Sequence, residues 1–245
     1  MATRYNYTGG IVTDGLLVHL DPARRDSYPG SGTVWKDLTD NHHDFTLTNS
    51  PVHSGFTKGS TFDFDGSNEY AMIAGDAIDY SRTGLTVECF CYFNANYSVY
   101  RGGIITKWQT GAGDNNEWWL GSVTSAGSST GPGVLSLGIE KPEGGSTVSV
   151  NGSTSTAAQT WHHAVGTFDG ATMKVYLNGN LDGSTTSPVT EYKTYTSQPT
   201  TIAAFGSSFQ YPTNIQMGPV RIYNRALTAS EIQQNYNAQK GRYGL

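Results

Sequence analysis

Two groups of residues in this chain have types and spacing that could do chemistry: its seven glutamates, and the aromatic and amide residues between positions 97 and 119. Glycoside hydrolysis needs two carboxyl groups about 5 to 5.5 Å apart for retention, or about 6.5 to 9.5 Å apart for inversion. The glutamates are Glu69, Glu88, Glu117, Glu140, Glu143, Glu191 and Glu231, and none falls in a Glu-x-Asp-x-x-Glu run that would set two acids on one face of a strand. Only Glu140 and Glu143 are close in sequence, and they flank Pro142 in a turn, where a solvated pair is the ordinary outcome. Glu88 and Glu117 fall on separate predicted strands and would have to meet across a concave face to act together. The chain has no Gly-x-Ser-x-Gly elbow and no phosphate-cradling glycine loop with a lysine. No catalytic residue is expected, and the chain is not expected to be an enzyme.

Recognition is better provided for. Sugar binding calls for an aromatic platform beside planar polar side chains. Trp108, Trp118, Trp119 and Tyr97, with Asn115, Asn116 and Gln109 near them in sequence, form the best such set. Adjacent strand residues point to opposite faces, so at most one of Trp118 and Trp119 can be a platform and the other belongs to a core. Calcium takes several oxygen ligands at about 2.3–2.6 Å. The richest oxygen clusters are Asp114, Asn115, Asn116 and Glu117, and the pair Asp63 and Asp65. Asp114, Asn116, Glu117 and Asp65 are therefore the candidate calcium ligands, against the alternative that they cap their own turns. No cofactor is required by this reading.

Other metal chemistry is thinly supported. His42 and His43 sit beside aspartates in a loop, where hydrogen-bonded surface is the competing account, and His162 and His163 are strand neighbours that cannot ligate one ion together. Cys89 and Cys91 are two apart in a predicted strand, about 6.5 Å along it, too far for an ordinary disulfide. They are expected as buried free thiols.

The elements that must carry these groups are strands. The stretch Trp161 to Gly183 reads as two strands and two turns, with Asp169-Gly170 as a two-residue hairpin loop. That loop would pair Phe168 with Ala171, Gly166 with Met173, Ala164 with Val175 and His162 with Leu177. Phe168, Ala171, Ala164, Met173, Val175 and Leu177 would then share an apolar face, while Trp161, His163, Thr167, Thr172, Lys174, Tyr176 and Asn178 line the other. A second turn at Asn178-Gly179-Asn180 predicts a third antiparallel strand, making a meander. Leu85 to Phe93 alternates with Val87, Cys89, Cys91 and Phe93 on one face and Glu88, Phe90 and Tyr92 on the other, so it is expected to be central and covered on both sides.

Gly15–Asp21 is a short apolar run of strand length, Phe62 to Ile73 reads as strand, turn, strand, and further strands are expected at Ile104–Trp108, Glu117–Gly121, Val134–Ile139, Thr147–Val150, Thr201–Phe205 and Ile215–Tyr223. The segment from Pro22 to Phe45 reads as a long loop anchored by Trp35 and Leu38. One helix is signalled near the end, where Thr228, Ala229, Ser230 and Glu231 form a capping box, Ile232 and Tyr236 make an apolar stripe and Gly241 is the expected stop.

Composition agrees with one large β domain. The 245 residues include 30 glycines, with only 14% charged and 12% aromatic residues. A net charge of −5 disfavours nucleic acid as a partner, and no run reaches the roughly 20 apolar residues that span a bilayer. The first residues lack the apolar centre of a secretory signal, so the product is expected to remain in the cell that makes it.

Several blocks together resemble a known family: GLLVHLDPARRDSYPGSGTVWKDL, FDFDGSNEYAMI, LTVECFCYF, WHHAVGTFDGATMKVYLNGNLDG and GPVRIYNRALTASEIQQNYNAQKGRYG. They look like the laminin-G-like branch of the concanavalin A-like lectin/glucanase superfamily. The opening and closing blocks are similar to those of tailed-bacteriophage structural proteins. The resemblance implies two curved antiparallel sheets, and with the residue-level reading it gives an all-β, two-sheet antiparallel jelly-roll sandwich over residues 15–245 with the one short C-terminal helix, after an N-terminal arm at 1–14 whose first ten residues carry no clear core pattern. It also implies a concave face able to hold a glycan, and rim loops that sometimes hold calcium. The function expected is a non-catalytic structural protein of a bacteriophage virion: a capsid decoration, head-fibre or tail-associated protein. It would be made in the host cytoplasm and contact other virion proteins and copies of itself, but neither nucleic acid nor membrane. The alternative is a glycan-binding adhesion module for host surface polysaccharide. A β-glucanase-type hydrolase is the poorer alternative, because fold alone does not decide function.

Overall fold

The structure, a computed structural model, describes residues 10–57, 59–75, 77–94, 101–108, 116–124, 133–142, 146–194, 197–206 and 212–245. Its strands are, in order, β1 (Leu16–Leu20), β2 (Val34–Trp35), β3 (Phe45–Thr48), β4 (Val52–His53), β5 (Phe62–Asp65), β6 (Tyr70–Ile73), β7 (Leu85–Phe93) and β8 (Arg101–Lys107). There follow β9 (Trp118–Val123), β10 (Gly133–Glu140), β11 (Thr147–Thr156), β12 (Trp161–Phe168), β13 (Thr172–Leu177), β14 (Asn180–Thr186), β15 (Thr200–Ile202) and β16 (Asn214–Tyr223), and a helix, α1 (Ala229–Gln239). One sheet runs β14-β13-β12-β7-β16-β5-β4 with β1 also on β16; the other runs β11-β10-β9-β8-β15-β6-β3-β2. The pairings are antiparallel throughout, as in β7 with β12 and β8 with β9. The expected two-sheet sandwich is what the chain forms.

The core lies between the sheets because each strand alternates. Val87, Cys89, Cys91 and Phe93 of β7 join Ala164, Phe168, Met173 and Val175 from one side and Leu120, Leu135 and Leu137 from the other. Burying each large apolar side chain stabilises the fold by about 1.5–3 kcal/mol. The two cysteines are free and buried. At Gly166 of β12 a Cβ would stand 3.0 Å from a Leu137 methyl of the opposite sheet.

The central hairpin differs from expectation in register. Phe168 pairs with Met173, Gly166 with Val175 and Ala164 with Leu177. The turn is closed one residue later, by Asp169 N–H donating to Thr172 O at 3.2 Å, with Gly170 at φ +81°. The Asp169 carboxylate supports this closure, its Oδ1 accepting from the backbone N–H of both Ala171 and Thr172. The pairing shifts by two residues, an even number, so the face assignments survive except at Ala171, which is exposed. The third strand is present as β14.

The span from Pro22 to Phe45 is not wholly loop, since Trp35 is fully buried within β2, paired with Phe45. The short strands β3 and β4 were not anticipated. β11 is longer than its apolar part, because Asn151 to Thr156 carry no hydrophobic signal yet pair with β10.

α1 carries its capping box, and Ile232 is buried on the first sheet. Gly241 does not end the helix as a left-handed cap; α1 stops at Gln239 and a single 3-10 turn (Lys240–Arg242) follows. Arg242 then forms a paired contact with Asp21, at 2.8 and 2.7 Å. Of the expected arm, residues 10–14 lie on the body: Val12 N–H donates to Asn235 Oδ1 at 2.8 Å and Val12 O accepts from the Tyr223 hydroxyl at 3.1 Å. Among the described residues no helix is long and apolar enough to cross a membrane.

Candidate functional site

Of the residues expected to bind sugar, Tyr97 and Asn115 lie outside the described residues, as does Gln109. The three tryptophans divide as strand alternation requires. Trp118 is fully buried in the core, edge-on to Tyr80 at 5.5 Å. Trp119, one residue on, lies on the opposite side of β9 beside Phe205, whose ring is 5.8 Å from one indole and 6.0 Å from that of Trp108. Trp108, Trp119 and Phe205 form a small apolar cluster of their own, and Val123 packs on it. A Cβ at Gly138 would run into the Trp119 indole, so that glycine is what lets the ring lie on the sheet. Phe205, expected as the end of a strand from Thr201, lies beyond β15, which ends at Ile202, and no local pattern set it beside Trp119. All three rings are nearly closed to solvent, at 6%, 2% and 2% exposure.

Of the candidate calcium ligands, the two described carboxylates each have a partner of their own. Asp114 lies outside the described residues. Glu117 is 1% exposed and pairs with the Lys107 ammonium at 2.9 Å. Asp65 is exposed and caps its own turn, its Oδ1 accepting from Ser67 N–H at 2.7 Å. Asn116 is half-buried. Among the described residues no group of three or more His, Cys, Asp or Glu side chains is arranged to hold a metal ion. A carboxylate already held by a buried ammonium and another turned to its own backbone do not fit a calcium cradle. His43 Nδ1 sits 3.0 Å from Leu17 O, as loop surface would, and His162 and His163 face opposite sides of β12.

The acids are committed elsewhere. Glu88 and Glu117 do not meet. Glu88, fully buried, is held by Arg221 Nη1 at 2.8 Å, by His163 Nε2 at 2.9 Å and by Asn235 Nδ2 at 2.7 Å. Burial alone would raise its pKa, but Arg221, His163 and Asn235 outweigh that and bring it down to about 2. The acid that does neighbour Glu117 is Glu140, whose N–H donates to Glu117 O at 2.8 Å. Glu140 pairs with Lys193 at 3.4 Å, so each of these two carboxylates has its own lysine. Glu143 lies outside the described residues. Sequence reasoning missed this pair because nothing in a single sequence sets the β9–β10 register.

A family model described as the concanavalin A-like lectin/glucanases superfamily matches residues 65–233. A search of curated proteins finds no match. Similar solved structures include the binding domain of Paraclostridial Mosquitocidal Protein 1, with a TM-score of 0.67 at 16% identity over 92% of this chain and 52% of that one. The receptor binding domain of botulinum neurotoxin C/D mosaic serotype gives 0.66 at 14% identity over 93% of this chain and 52% of that one. Domain 4 of a GH43 extracellular arabinanase from Geobacillus stearothermophilus, in complex with arabinotriose, gives 0.65 at 16% identity over 90% of this chain and 98% of that one. The chain spans about half the length of the two toxin domains and nearly all of the arabinanase domain. At these identities the likeness is one of fold.

Proposed function

The chain belongs to the concanavalin A-like lectin/glucanase superfamily, and from that premise we propose that it is a non-catalytic glycan-recognition module carried on the surface of a tailed-bacteriophage virion. The observation that carries the non-catalytic part is the state of the acids. The two glutamates that stand side by side, Glu117 and Glu140, are 1% and 0% exposed and each is neutralised by a lysine. A glycosidase needs one acid protonated and one free, both open to a sugar-sized cleft. Glycan recognition draws support from the arabinanase domain, which the chain matches almost end to end and which was solved with arabinotriose.

The virion setting rests on the sequence blocks that resemble tailed-phage structural proteins. In it, residues 1–9 and the long loops would contact other virion proteins or further copies of the chain. The reading requires no cofactor.

The tests are direct. Purified protein on a glycan array should retain at least one oligosaccharide, and the same protein incubated with a polysaccharide panel should release no reducing sugar. Release of reducing sugar that disappears in a Glu117→Gln variant would overturn the non-catalytic part. Peptides of this chain recovered from purified particles, with density for the jelly roll on the particle surface, are expected of the virion setting. Their absence from intact particles would remove it.

A further inference from the structure

On the face of the first sheet that points away from the core, register sets one transverse row. Asp63 on β5 stands opposite Gln216 on β16, Gln216 opposite Tyr92 on β7, and Tyr92 opposite Trp161 on β12. Directly opposed residues share a face, and alternation puts these four on the side away from Phe62, Ile215, Cys91 and His162. Next to this row the same face is closed. Asn235 of α1 bonds to Glu88, Tyr236 stacks on His163, and Tyr243 stacks on Phe90 at 5.1 Å. The row from Asp63 to Trp161 is left partly open, with all four side chains half-buried.

One end of the row is aromatic. Tyr92 and Trp161 have ring centroids 5.6 Å apart at 51°, and Trp161 is backed by Tyr243 at 4.3 Å. The other end is planar and polar. Gln216 Nε2 donates to Asn94 Oδ1 at 3.0 Å, and Asn94 Nδ2 donates to Asp63 Oδ1 at 2.8 Å and to Asn214 Oδ1 at 2.7 Å. These bonds fix the amides and the carboxylate in place. They also leave Gln216 Oε1, Asp63 Oδ2, the Tyr92 hydroxyl and the Trp161 indole N–H with no hydrogen-bond partner among the described residues.

A sugar ring offers an apolar C–H face and a rim of hydroxyls. Aromatic faces with preset, unengaged polar atoms beside them are the matching surface. The only formal charge in the row is the Asp63 carboxylate, and the chain carries a net charge of −5, so an anionic sugar would be repelled. The geometry points to this row as the binding site of a neutral oligosaccharide, separate from the nearly closed cluster of Trp108, Trp119 and Phe205. The inference rests on the glycan-recognition reading above and adds to it a place and a ligand class.

The full chain is titrated with neutral oligosaccharides, arabinotriose among them, and with sialylated ones, following tryptophan fluorescence and calorimetric heat. A neutral sugar binds, and Trp161→Ala weakens that binding by about tenfold or more, as expected for an aromatic anchor. Trp161 also packs on Tyr243, so Gln216→Ala serves as the second variant. It removes no core contact, and it weakens binding while the unfolding temperature stays at the wild-type value. If the wild type binds a sugar and Gln216→Ala and a folded Trp161→Ala bind it equally well, the row is overturned while glycan recognition stands. Tighter binding of sialylated than of neutral sugars overturns the ligand class. If the wild type binds none of the panel, glycan recognition fails and the row fails with it.

Discussion

Glu88 holds together the charged layer beneath the helix. It is opposed across strands by Arg221, which in turn stands opposite His19 on β1. Removing one partner of a buried ion pair leaves the other charge uncompensated, so Glu88→Gln should cost about 3–5 kcal/mol in a urea unfolding curve. The double variant Glu88→Leu/Arg221→Met should be milder than either single change, since it removes both charges. The same residues set the response to acid. Burial and the nearby Arg221 lower the His19 pKa to about 3, against 6.5 when unfolded. Glu88 falls to about 2 for the reasons given above, and Glu231 to about 2, mainly through its hydrogen bonds from Arg225, both against 4.5 unfolded. In each case the folded state binds protons less readily than the unfolded one, so stability is intact above the unfolded value and declines as pH falls toward the folded one. Stability measured against pH should therefore begin to drop near 6.5, steepen below 4.5 and continue toward 2. A flat profile between pH 6 and 3 would contradict this network.

α1 shows how much of an element can be read locally. Thr228 Oγ1 accepts from Glu231 N–H at 3.3 Å, and Glu231 Oε2 accepts from Thr228 N–H at 2.8 Å. Thr228→Ala should cost about 1 kcal/mol in thermal or chemical unfolding, and restoring Ser at that position should recover most of it. The buried face was only half legible. Ile232 and Tyr236 are visible as a stripe, but Asn235 is equally buried because Glu88, Tyr223 and Val12 surround it. A polar residue gives no apolar signal, and its partners come from positions 12, 88 and 223. The β12–β13 hairpin teaches the same lesson: Asp169-Gly170 marked the turn, but not which residues close it.

At the scale of the whole molecule, the blocks that carry the phage-like resemblance meet in space. Asp21, in the first, is bound by Arg242, in the last. That contact joins positions 221 apart in the chain and is largely enclosed, with side chains 17% and 5% exposed. Arg242→Ala should remove about 1.5–3 kcal/mol, as for hydrogen bonds to a charged group. In a chain of this size that lowers the melting temperature by about 2–4 °C per kcal/mol. An unchanged melting temperature would mean that the two ends are held by apolar packing alone.

By itself the sequence determined the architecture. Alternation along β7, β12 and β13 states which side chains enter a core, and the number and short spacing of the strands make two packed sheets the economical way to enclose it. It also named the cap of α1, the free thiols and the split between Trp118 and Trp119, because each depends on neighbours within a few residues. Only the tertiary structure decided what lies beside what. It put Glu140 rather than Glu88 next to Glu117, gave each a lysine, drew Phe205 onto Trp119, and aligned Asp63, Gln216, Tyr92 and Trp161 in one row. Those four positions come from four strands, and the order of strands in a sheet is set by packing and long-range register, which no local pattern encodes.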